Sequence, residues 1–365
     1  MRPDDEPLRR PGAQVAWAAI VAGAGLVPVR ASAHVKWFCS VADVTQPPAA
    51  IGRVLTPLFG LVCCGFLLLV YVGFLLDGSV ARRWPRLASS GELHAGTEEK
   101  LVRLAAGAYF LLLWDKGAVV LWERGDAILT PELMASVAWM GALHLVVAVS
   151  VAWRRGCILA AAGICILYAY GIAQFGIFHM TDYVFFPGIA AYLALTGVGT
   201  PGALRWRAPL LSGGLAFGLM WTAVEKFVYP QWTLGVVAQH PDLAFGFPWQ
   251  FVVMVAGFVE FTLAFYLMAG RGLVRFGAAA YAAIFLAAVP EFGHLDAVGH
   301  IPIVAILAVM CPRGPHGRRL PRWLLLGSGV VRSRAGREAE EAWCEGEDGS
   351  RWPARARRLR HHGCI

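Results

Sequence analysis

Residues 249–268 read WQFVVMVAGFVEFTLAFYLM, twenty positions with a single charged residue, Glu260. A helix of that length rises about 30 Å, the hydrocarbon thickness of a bilayer, so the stretch predicts a transmembrane helix. Glu260 lies eleven residues after Trp249, near mid-depth. A charge there costs about 2.5–3.5 kcal/mol on insertion scales. Its carboxyl must therefore be protonated, paired with a base such as Lys226, or bound to a ligand.

The rest of the chain is equally apolar. Of its 365 residues 58% are hydrophobic and only 15% charged, with a mean hydropathy of +0.57, which excludes an ordinary soluble domain. Working outward from 249–268, comparable stretches fall at 13–29, 55–76, 101–122, 134–153, 157–174, 183–197, 209–228, 274–290 and 301–311, about ten spans in all. The last is short and extends back before His300 if it is to cross. The first ends in Ala31-Ser32-Ala33 and reads equally as a retained span or as a cleaved signal segment.

The net charge of +8 does not point to nucleic acid, because the arginines sit in short clusters between apolar runs. Arg82, Arg83 and Arg86 follow the second span, Arg154 and Arg155 the fourth, Arg205 and Arg207 the sixth, Arg271 and Arg275 the eighth, and Arg313, Arg318 and Arg319 the tenth. Cytoplasmic loops carry an excess of Lys and Arg, so every cluster lies inside if the amino terminus does. This predicts a multi-pass membrane protein, with both termini cytoplasmic when the first span is retained. The lipid bilayer is its solvent, and a membrane complex supplies any protein partner.

An internal repeat divides the helices. Leu113-Trp114-Asp115-Lys116 in the third span parallels Met220-Trp221 followed by Glu225-Lys226 in the seventh, and Gly141 before His144 parallels Gly257 before Glu260. Gln174-Phe175-Gly176, His179, Asp182 and Pro187 then match Glu291-Phe292-Gly293, His294, Asp296 and Pro302. His144 lies 30 residues before Gln174, and Glu260 lies 31 before Glu291. Four spans per unit is an even number, so the units enter the membrane in the same sense. The expected architecture is all-α: a polytopic transmembrane protein of two tandem parallel four-helix bundle repeats plus two N-terminal helices. Residues 1–98 form the N-terminal two-helix region, packed on the first unit, with its outer loop. Residues 99–203 and 204–320 form the repeats, and 321–365 a disordered basic cytoplasmic tail.

The second unit, with Trp221-Thr222-Ala223-Val224-Glu225-Lys226-Phe227, Gly257-Phe258-Val259-Glu260-Phe261 and His294-Leu295-Asp296-Ala297-Val298-Gly299-His300, resembles the DoxX-like family of small four-helix membrane proteins. The resemblance covers about 100 residues well and the first unit weakly. It implies an integral bacterial membrane protein, associated in some members with quinone-linked redox systems. The cysteine pairs of disulfide-relay relatives are missing. The eight cysteines include no CxxC, and zinc-ligand spacings are absent.

Ligand-binding or proton-handling candidates follow from the ionisable groups. Glu225 and Lys226, adjacent on a helix, point about 100° apart and need separate partners. Glu291, His294, Asp296 and His300 fall within ten residues at one corner, and His179 with Asp182 at the matching corner. Such groups bind a transition metal, pass protons, hold a polar head group, or simply seal the bundle. Asp115, Lys116 and His144 are the first-unit counterparts of Glu225, Lys226 and Glu260. For a metal, His294 and His300 are the candidates, joined by His34 if cleavage after Ala33 makes it an amino terminus able to chelate copper. Residues 229–248 carry Tyr229, Trp232, Phe245 and Phe247, an interfacial aromatic belt or an apolar mouth for a quinone or lipid.

No haem, flavin or iron–sulfur motif is present, and whether the chain is an enzyme stays open, with an accessory role expected before that of an enzyme on its own. The functions that remain are a redox-associated accessory subunit, a transporter or metal- or proton-handling protein, and a structural assembly factor.

Overall fold

The computed structural model describes residues 47–85, 96–114, 126–131, 133–135 and 137–314. The expected first span at 13–29, His34, Asp115, Lys116 and the tail lie outside the described residues. Those described form eleven α-helices: α1 (Ile51–Val54), α2 (Pro57–Arg83), α3 (Thr97–Trp114), α4 (Met140–Ser150), α5 (Gly156–Met180), α6 (Phe185–Val198), α7 (Pro201–Val228), α8 (Pro230–Gln239), α9 (Trp249–Ala269), α10 (Gly272–Phe292) and α11 (His294–Arg313). A two-residue antiparallel pairing, β1 (Asp126–Ala127) with β2 (Met134–Ala135), is the one departure from helix among them besides turns.

Local chemistry sets the helix ends. Thr56 and Thr200 each precede a proline, and their hydroxyls accept from Phe59 N at 3.1 Å and Ala203 N at 3.3 Å, capping α2 and α7. Two corners depend on glycine. Gly176 breaks α5 with φ 79° and ψ 157°, and Gly293 separates α10 from α11 with φ 86° and ψ −160°. A side chain is strained in that region of backbone space.

Four of these helical segments, Pro57–Arg83, Gly156–Tyr183, Trp249–Ala269 and Gly272–Pro290, are long and apolar enough to cross a membrane. Met140–Ser150, Phe185–Val198 and Ala297–Arg313 are apolar but shorter. α2 is apolar around its circumference, with Leu61, Leu67, Leu68 and Leu69 all exposed, as suits a helix solvated by lipid.

The helices α3, α4, α5, α6, α7, α9, α10 and α11 pack each against the next, and α11 returns to α3, closing a ring. The tightest neighbours are α6 and α7, where a Cβ on Gly188 would stand 3.1 Å from Leu210 O and one on Gly214 3.1 Å from the Gly188 Cα. Small residues let backbones approach this closely, which is how helices pack without a hydrophobic drive between them.

Two expectations are corrected. The helix expected at 134–153 is only Met140–Ser150, because Met134 and Ala135 are spent in the β pairing. This turn is drawn inward: Ala127, Ile128, Leu129 and Thr130 are fully buried. Secondly, α2, expected to pack on the helices of 99–203, packs instead against α9 and α10. Phe59 meets Phe227 and Phe258 at 5.2 and 5.1 Å, Phe66 stacks on Phe258, and Phe74 packs on Phe265 and Tyr266. The buried Asp77 fixes the far end, accepting from the backbone N–H of Arg271 at 2.8 Å and of Leu273 at 3.0 Å at the start of α10. A carboxylate satisfies the free amides of a helix amino terminus and its partial positive charge.

Candidate functional site

Ionisable groups gather at the two ends of the bundle. At one end, the turn after Gly176 places His179 beside the last turn of α7, with Nδ1 3.6 Å from Glu225 Oε1. Both side chains are buried. Separation at that distance is an ion-pair approach just beyond hydrogen-bond range. Aromatic rings wall the pair: Tyr229 and Trp232, stacked at 4.3 Å, lie 5.6 and 5.8 Å from the imidazole, and Phe178 packs on both Trp221 and Tyr229. The Trp221 indole donates to Phe178 O at 3.0 Å, so α7 and the turn are pinned together. Asp182, also buried, sits in the following 3₁₀ turn, whose backbone oxygen would be 2.7 Å from a Cβ on Gly218 of α7.

Lys226, one residue on, points to a different neighbour. Its Nζ is 2.9 Å from Glu260 Oε2 across the α7–α9 contact, a partly exposed pair. The Glu260 backbone oxygen accepts from Tyr281 Oη at 2.7 Å. Of the three states open to Glu260, the paired one is adopted, and adjacent Glu225 and Lys226 do take separate partners.

His144, expected as the counterpart of Glu260, behaves differently. His144 Nε2 is 3.0 Å from Ile128 O and its ring packs on Phe110, while Tyr109 Oη donates to Leu129 O at 2.6 Å. Facing a carbonyl, Nε2 carries the proton. His144 thus holds the inward-drawn turn where Glu260 holds a lysine. His300 is buried six residues into α11, its ring 4.4 Å from Phe285. The backbone of Glu291, His294 and Asp296 lies at the Gly293 corner, and their side chains are outside the described residues. Among the described residues no three His, Cys, Asp or Glu side chains converge as a metal site.

The opposite end holds a cluster that sequence reasoning missed. Glu98 and Glu99, buried in the first turn of α3, draw in Arg103, Arg154, Arg207 and Arg313. Arg154 grips Glu99 through Nε at 2.8 Å and Nη2 at 2.7 Å, and Arg207 Nη1 reaches Glu99 Oε2 at 3.1 Å. Tyr192 donates to Glu98 Oε1 at 3.0 Å, and Arg313 donates to Oε2. Hydrogen bonding from Arg154, opposed by burial and reinforced by Arg103 and Arg207, holds the Glu99 carboxyl at about 2. The available signal was two adjacent acids directly before a span, on the side where the arginines fall. Arg207 and Glu225 lie eighteen residues apart on α7, so the two clusters are separated by about 27 Å.

Comparison of the chain with family models, with curated proteins and with solved structures finds no match.

Proposed function

We propose that the chain is a DoxX-like, ten-span integral protein of the bacterial inner membrane, a redox-associated accessory subunit that passes a proton at His179 and Glu225. The observation that carries this reading is the buried His179–Glu225 pair, enclosed by Phe178, Tyr229 and Trp232. Imidazole and carboxylate both carry protons, and at 3.6 Å the two are complementary groups to hold and relay one. The aromatic wall suits a flat, lipid-soluble redox molecule such as a quinone, whose reduction consumes two electrons, drawn from a partner protein, and two protons.

The packing supports two parallel repeats. A two-fold axis exchanging α3, α4, α5 and α6 with α7, α9, α10 and α11 turns the α6–α7 contact into the α11–α3 contact, and both exist. Gly176 and Gly293, matched in the repeat, share the same rare backbone conformation. Orientation rests on the arginines: Arg154, Arg207 and Arg313 meet on Glu98 and Glu99, which supports a cytoplasmic position for that end. The site then faces the extracytoplasmic half, at the junction of the two repeats instead of within the second.

The test is quinone content of the purified protein, with proton uptake on quinone reduction in nanodiscs, for the natural chain and Glu225→Gln. Quinone in both, with uptake lost only in the variant, is the expected result. No quinone and no effect of Glu225→Gln overturns the redox reading. Ion flux in proteoliposomes that depends on Glu225 without any quinone selects the transporter reading instead.

A further inference from the structure

Among the described residues, the arginine end carries more positive charge than its carboxylates balance. Glu98 and Glu99 bring two negative charges and Arg103, Arg154, Arg207 and Arg313 four positive, leaving +2 in the cluster among the described residues. Each of the four carboxylate oxygens is engaged. Glu99 Oε1 takes Arg103 Nη1 and Arg154 Nε, and Oε2 takes Arg154 Nη2 and Arg207 Nη1. Glu98 Oε1 takes the Tyr192 hydroxyl and faces Arg207 Nε, and Oε2 takes Arg313. A guanidinium has five N–H donors, so Arg154, with two nitrogens engaged on Glu99, and Arg313, with one on Glu98, have N–H groups to spare. Their side chains are 56% and 32% exposed.

The depth of this surplus is marked independently. Trp153, directly before Arg154, is 54% exposed, and Arg155 after it is exposed too. At the same end Arg83 lies over the Trp84 ring and Arg205 over Trp206, each at 5.8 Å. Exposed indoles beside arginines belong at the headgroup level of a bilayer.

We propose that Arg154 and Arg155, with Trp153 beside them, bind the phosphodiester of an anionic phospholipid headgroup on the Glu98–Glu99 cluster. Anionic lipid completes the charge balance that the two carboxylates leave short, and the guanidinium fork matches phosphate oxygens in two-point geometry. The site lies at the other end of the molecule from His179 and does not depend on what that pair does.

The full chain in nanodiscs of equal phosphatidylglycerol and phosphatidylethanolamine tests this, read as the ratio of the two lipids retained in native mass spectrometry. The expected ratio favours phosphatidylglycerol and falls about fivefold in Arg154→Gln, one basic residue's share near an anionic surface. Arg155→Gln, outside the carboxylate cluster, lowers it as well with the fold intact. Glu99→Gln raises it, since Arg154 is freed and the surplus grows. A purely structural cluster would lose lipid in both Glu99→Gln and Arg154→Gln, and that outcome overturns the proposal. Equal retention of both lipids, or displacement of bound lipid by inorganic phosphate alone, overturns it too.

Discussion

His179 and Glu225, forty-six residues apart in the chain, face each other at 3.6 Å inside an aromatic enclosure formed where the α5 turn meets α7 and α8. A double-mutant cycle of His179→Gln and Glu225→Gln, read by unfolding in detergent, is expected to return a coupling of about 1–3 kcal/mol, as for groups in direct contact. Additive effects would mean that the two side chains act independently.

Lys226 and Glu260 form the inter-helix tie. Replacing the lysine alone, as Lys226→Met, leaves a carboxylate in an apolar surrounding and is expected to cost about 2–4 kcal/mol, the low end being set by partial exposure of the pair. The double variant Lys226→Met with Glu260→Leu recovers most of that. If the double variant is no more stable than the single one, the pair is doing something beyond tying α7 to α9.

The Gly176 and Gly293 corners make a matched prediction. Alanine at either is expected to cost about 1–3 kcal/mol, because φ near +80° with extended ψ is open to glycine and strained for other residues. Thermal melts of Gly176→Ala and Gly293→Ala that differ widely from each other would argue against equivalent corners.

Acid sensitivity follows from Glu99. Its carboxyl lies at about 2 against an ordinary 4.5, principally through the Arg154 guanidinium. Between those values the unfolded chain holds a proton that the folded one does not, so this stabilisation is complete above pH 4.5 and drains away as pH falls toward 2. The melting temperature should decline through that window, and Glu99→Gln should begin lower and decline less. Equal slopes in both proteins would assign the acid loss to other groups.

His144 clamps the inward-drawn turn through Ile128 O, and the Ile128 amide in turn donates to Leu133 O at 2.6 Å. His144→Ala is expected to speed hydrogen exchange at Ile128 about tenfold, the worth of one buried hydrogen bond. Exchange unchanged at that amide would show that Tyr109, bonded to Leu129 O, suffices to hold the turn.

Much of this was legible in the chain alone. Apolar run length foretold the helices at Trp249–Ala269 and Gly272–Phe292, since bilayer thickness sets a minimum length that composition must meet. Helical geometry alone sent Glu225 and Lys226 to different neighbours, and the burial cost of Glu260 called for a base, found in Lys226. These are consequences of 3.6 residues per turn and of the price of charge in lipid, both local to the sequence. Which helices touch is a different matter. Glu98 meets Arg313 across 215 residues, α2 chose α9 and α10 over the helices of 99–203, and Met134 left its expected helix for a buried turn. Those outcomes depend on how eight helices close into a ring and which side chains then share a dry interior, a packing competition that no single segment contains.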